Sequence, residues 1–87
     1  VEKTREYLEK ALALGNNHTV YENYSNFLLV YDTPSKTKEF TELALDRYSQ
    51  NPRLWINLAR AEYLLGEKEN ALEHAQKAYK LAEDKDA

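Results

Sequence analysis

The chain has 87 residues, of which 43% are hydrophobic and 31% charged, with only two glycines and two prolines; this describes one folded domain and excludes a disordered tail. A formal net charge of −3, from twelve Lys+Arg against fifteen Asp+Glu, lacks the concentrated positive charge that displaces counterions from phosphates, so no nucleic acid is expected as partner. The absence of cysteine removes disulfides, thiolate chemistry and sulfur-rich metal sites together.

The longest apolar run, Phe27 to Tyr31, is far short of the roughly 18 residues a membrane span needs, so no membrane contact by this segment is expected. Methionine is absent even at position 1, and the chain reads as a piece of a longer one. Nothing in it addresses a compartment; the cytoplasm is the default expectation.

Taken in order, the periodicity predicts five helices. Residues 2–14 carry Leu8, Ala11, Leu12 and Leu14 among charged neighbours and stop at Gly15-Asn16-Asn17. Thr19 is the expected cap of the second helix, where Val20, Tyr21, Tyr24, Phe27, Leu28 and Tyr31 recur at three- and four-residue spacing. Pro34 ends that helix, since it biases Thr33 away from helical dihedrals. Thr33 or Ser35 then caps a third helix running to about Ser49, with Phe40, Leu43, Ala44 and Tyr48 facing inward.

Asn51 and Pro52 open the fourth helix as cap and first helical residue. It runs over 52–65 with Leu54, Trp55, Leu58, Ala59 and Leu65 on one face, and Gly66 closes it. The fifth, about 68–83, carries Ala71, Leu72, Ala75, Ala78, Tyr79 and Ala82, and the outer face of this last helix, with Tyr79 and Leu81, is expected to be exposed. Short links between helices of this length fold each one back on its predecessor.

A 34-residue shift superposes Tyr21 on Trp55 and Ala44 on Ala78, the period of a solenoid built from helix pairs. On these residues the chain resembles the tetratricopeptide repeat family. Trp55, Leu58, Ala59, Gly66, Ala71 and Ala78 fall on its signature positions within residues 52–85. Residues 18–51 form a second, weaker match, with Ser25 and Thr37 where the family prefers Gly and Ala. Residues 2–17 resemble the second helix of a preceding repeat. Within 52–85, Glu62 and Lys68 replace the usual tyrosines and Ala75 a large aromatic. The resemblance implies an all-α fold, antiparallel helix pairs stacked as a short right-handed superhelix, in a single module over 1–87.

Nothing in the sequence assembles catalytic chemistry, a cofactor site or a metal site. His18 and His74 lie 56 residues apart and are read as surface residues. The carboxylates interleave with lysines, as in Glu6/Lys10 and Glu73/Lys77, the pattern of a solvated helix face. The chain is therefore not expected to be an enzyme.

What remains is a surface. In stacked helix pairs the first helix of each pair lines a concave face, which points here to Asn26 on one helix and to Arg53, Asn57, Arg60 and Tyr63 on the next. Members of the family that grip a peptide's terminal carboxylate use two asparagines, and Asn26 and Asn57 match those positions. Glu22 stands where those members carry lysine, so the resemblance implies a general peptide-holding groove rather than that clamp. Asn26 and Asn57 would bond main chain, and Arg53 and Arg60 would meet an acidic side chain. Solvated polar surface is the competing reading for each residue. The expected function is a scaffold for another protein or peptide. The alternative is a structural spacer or a self-association segment that forms a homo-oligomer through its terminal helix.

Overall fold

Two proline-headed caps and one glycine divide the chain into helices. The computed structural model describes Glu6, Lys10 and residues 18–86, with side chains through Asp84. It contains four long helices: α1 (His18–Tyr31), α2 (Pro34–Arg47), α3 (Pro52–Leu64) and α4 (Lys68–Asp86). Among the described residues there is no strand. Glu6 and Lys10 are helical, and the rest of the expected helix at 2–14 lies outside the described residues.

Three of the described boundaries have a local physical cause. Thr33 takes an extended backbone and its hydroxyl accepts from Lys36 N at 3.2 Å, with Pro34 in the first turn of α2. Asn51 repeats the device before α3, its side-chain oxygen accepting from Arg53 N at 2.9 Å and Leu54 N at 3.3 Å. At the end of α3, Gly66 adopts φ +86°. Its N–H donates to Tyr63 O at 3.1 Å while Glu67 N donates to Glu62 O at 2.8 Å, the paired bonds of a Schellman stop. Thr19 lies inside α1 rather than capping it, and α2 stops at Arg47, two residues before the expected end.

The four helices stack in a repeat-like pattern. Among the described helices α3 is the hub, packing against α1, α2 and α4, while α1 also packs on α2. One core cluster gathers Tyr24, Phe27 and Leu28 of α1 with Phe40 of α2. The other joins Ala44 and Leu45 of α2 to Leu54 and Leu58 of α3, with Tyr21, Tyr48 and Trp55 at its edge. Buried Ala59 and Ala71 let α3 and α4 approach closely, as expected of small residues there.

Two residues expected inside, Tyr31 and Leu43, are exposed, with Leu65 at the margin; Leu72 is exposed as well, and Tyr79 is exposed as expected of the outer face of the last helix. On α2 the packed stripe is Thr37, Thr41, Ala44 and Leu45, so Leu43 points away from α3. On α4 the buried positions are Ala71 and Ala78, and Leu72 and Tyr79 form the stripe one residue on. Small residues have taken the tight helix crossings and left the large ones outside.

The two positions that depart from the family's Gly and Ala are buried and satisfied. Ser25 of α1 and Thr41 of α2 share a hydroxyl–hydroxyl bond of 2.7 Å, and the Thr37 hydroxyl donates to Thr33 O at 3.0 Å. Replacing Ser25 by Ala should cost about 1–3 kcal/mol, because it strands the Thr41 hydroxyl in the core. In urea unfolding the double variant Ser25→Ala/Thr41→Val should lose less than Ser25→Ala alone. A separate expectation concerns Gly66, where an added Cβ would meet nothing within 4 Å. Gly66→Ala should still cost about 1 kcal/mol through backbone strain alone, and Gly66→Asn less, since Asn tolerates that conformation better.

Candidate functional site

Because α1 and α3 lie side by side, their outward residues face a common surface. A polar cleft of ≈ 340 Å³ opens between them, walled by Glu22, Asn23 and Asn26 of α1 and by Arg53, Asn57 and Arg60 of α3. Next to it a larger groove of ≈ 650 Å³ runs between α3 and α4 and takes in the end of α1. Its walls include Leu29, Val30, Tyr63, Leu64, Leu72 and Ala75. Ile56 and Arg60 border both cavities, so the two form a continuous surface.

The five residues singled out from sequence divide between them. Asn26, Arg53, Asn57 and Arg60 converge on the polar cleft; Tyr63, 62% exposed, lies on the apolar groove with Arg60. Asn57 is only 7% exposed. No described buried side-chain nitrogen or oxygen lacks a hydrogen bond, and among the described residues no bond holds the Asn57 amide, so that amide opens onto the cleft. Arg53 is already engaged: its Nε lies 3.5 Å from Glu22 Oε1, while His18 Nδ1 is 3.2 Å from Oε2 of the same carboxylate. Glu22 thus has a counter-ion in place, and Arg60 makes no ion pair among the described residues.

Behind α3, away from both cavities, lies a group that sequence reasoning missed. Glu62 is 1% exposed, and His74 Nδ1 of α4 is 2.6 Å from its Oε1. With the carboxylate ionised, the ring nitrogen is the donor. Lys38 Nζ of α2 stands 3.6 Å from Oε2 and also bonds Glu67, at the head of α4. The His74 ring packs on Trp55 with centroids 5.2 Å apart, and Lys77 Nζ sits 4.5 Å above the Trp55 ring. The surface reading of His74 is therefore corrected. Lys77 lies over Trp55 rather than pairing with Glu73, and the Trp55 indole N–H donates to Ser49 O at 2.8 Å.

A carboxylate bonded to an imidazole invites an acid–base reading, but Glu62 is buried and neither it nor His74 lines the cleft or the groove. Their arrangement is that of an interhelical tie. Among the described residues no group of three or more His, Cys, Asp or Glu is placed to hold a metal ion. These features are consistent with a non-catalytic domain. Glu62 could have been found from its place on the Trp55/Leu58/Ala59 face, where an unpaired charge is costly. The apolar groove residues of α4 had no such signal.

Residues 52–85 match the family model for the tetratricopeptide repeat. The match covers α3 and all but the last residue of α4, whose packing is that of one such repeat. No curated protein matches the chain. No described helix is long and apolar enough to cross a membrane.

The Lys38–Glu67 bond gives a pH signature. It holds the Lys38 ammonium above its ordinary 10.5 despite partial burial, and together with the Asn70 amide it holds the Glu67 carboxyl below its ordinary 4.5. The contribution of Glu67 is complete above its ordinary value and is lost as pH falls through the lowered one. That of Lys38 is complete below its ordinary value and is lost as pH rises through the raised one. Glu67→Gln should flatten the acid limb of a plot of urea midpoint against pH. An unchanged limb would show that the bond adds nothing in solution.

Proposed function

We propose that this chain is a protein-interaction scaffold: two stacked tetratricopeptide-like repeats, over 18–51 and 52–85, that hold a peptide or partner protein on the surface shared by α1 and α3, without catalysis. The observation that carries the reading is the convergence of Asn26, Asn57 and Arg60 on one cleft that continues into an apolar groove. An asparagine amide offers one acceptor and two donors, the complement of an extended main chain. Arg60 supplies a planar cation, without an ion pair among the described residues, suited to a carboxylate or phosphate. Arg53, already held by Glu22, orients that wall, and Tyr63 offers a rigid amphipathic face at the junction with the apolar groove.

The resemblance over residues 52–85 supports the reading at the level of architecture, since stacked helix pairs expose extended concave surfaces. The second reading, a spacer or self-association segment, draws on Leu72 and Tyr79, both exposed on α4.

Selection from a displayed library of random peptides tests the first reading. Peptides that bind the chain should bind Asn57→Ala/Arg60→Glu at least about tenfold more weakly, with helix content equal by circular dichroism. If the selected peptides bind both forms alike, the cleft is not the working surface.

A further inference from the structure

The apolar groove between α3 and α4 differs from the polar cleft in what it can accept. Its walls are helix side chains whose backbone N–H and C=O groups are already paired within α3 and α4. Leu72, 62% exposed, and Leu64 stand open to it, and Arg60, Tyr63 and Lys68 are its polar side chains. An extended peptide laid there would bury its main-chain polar groups without partners, which is costly. A helix satisfies its own. The geometry agrees: Ile56, Arg60, Tyr63 and Leu64 form a ridge spanning nine residues, roughly 12 Å of helix rise, and Leu72 and Ala75 of α4 form the facing wall. A V between two helices is the seat into which the ridge of a third helix packs.

Charge narrows the occupant. The chain carries more Asp+Glu than Lys+Arg, yet this groove is lined by no carboxylate and by two cations. Neither Arg60 nor Lys68 makes an ion pair among the described residues.

We infer that the α3–α4 groove docks an amphipathic helix of a partner protein, whose apolar stripe meets Ile56, Leu64, Leu72 and Ala75 and whose flanking acidic residues meet Arg60 and Lys68. The inference rests on the reading of the chain as a partner-binding scaffold, but it places a helix in the groove where that reading places extended main chain in the cleft.

The test uses three synthetic peptides of about 15 residues, roughly four helical turns, each with Leu at i, i+3, i+4 and i+7. One carries Glu on the flanks of the stripe, one carries Lys there, and one is the Glu peptide scrambled. By fluorescence anisotropy the Glu peptide should bind the 87-residue chain saturably and gain helicity, and the other two should bind at least about tenfold more weakly. Leu72→Asp, a change at an exposed position, should abolish binding; Arg60→Glu/Lys68→Glu should transfer it to the Lys peptide; Asp46→Asn, exposed on α2 and lining neither cavity, should leave it unchanged.

Equal binding of the Glu and Lys peptides would overturn the inference, as would insensitivity to Leu72→Asp. A chain that self-associates and is made monomeric by Leu72→Asp would overturn it in favour of a second copy as occupant. If no helix binds while extended peptides still bind in an Asn57-dependent way, the inference fails and the proposed function stands. If neither class binds, both fail.

Discussion

Taking a carboxylate out of water costs several kcal/mol unless cations and hydrogen-bond donors meet it, so the position of Glu62 constrains where α2 and α4 sit against α3. Lys38 reaches it from α2 and His74 from α4. His74 is in turn held against Trp55 of α3, with Lys77 of α4 on the Trp55 ring. Three helices are thereby tied at one point of low dielectric, where misregister would leave a charge unanswered. Apolar packing of Leu54, Leu58, Ala59 and Ala71 supplies burial around the tie, but such contacts tolerate sliding in a way that a directed ion pair does not. The same helix that carries Glu62 inward carries Ile56, Arg60, Tyr63 and Leu64 outward. Fixing α3 by its inner face therefore sets the rim of both cavities.

The functional surface inherits its division of labour from this arrangement. Between α1 and α3 the facing residues are mostly amides and charges, and one of the two arginines pairs with Glu22. Between α3 and α4 the close approach allowed by small residues leaves a wide apolar V, because alanines fill the crossing and leucines stand outside it. Arg60 belongs to both cavities. A ligand reaching from one to the other would pass it.

Much of the fold was legible because its punctuation is local. Thr33-Pro34, Asn51-Pro52 and Gly66 act on backbone groups within a few residues of themselves, so their chemistry can be read without knowing what packs where. The facing of each helix was less legible. On α4 the stripes through Ala71 and Leu72 are both apolar at helical spacing, and only the tight crossing with α3 decides for the smaller one. The buried hydroxyls of Ser25, Thr37 and Thr41 looked like departures from a small-residue pattern until their bonds were seen. Glu62 was hidden for the opposite reason: its partners lie 24 residues before and 12 after it, beyond the four-residue reach within which charge pairs on one helix can be recognised. Of the candidate site, the outward positions of α3 followed from the repeat geometry, whereas the contribution of α4 did not, since that geometry points to the first helix of each pair and not to Leu72 and Ala75 of the second.

The most direct test of this account is a double-mutant cycle on Glu62 and His74, comparing Glu62→Ala, His74→Ala and the double variant in urea unfolding. Two groups locked in one buried bond should show a coupling of about 1–3 kcal/mol, with His74→Ala alone strongly destabilising because it leaves the buried Glu62 carboxylate without its bonded partner. Additive losses, with coupling near zero, would contradict the claim that this carboxylate ties the helices together and would leave the α3–α4 groove set by apolar packing alone.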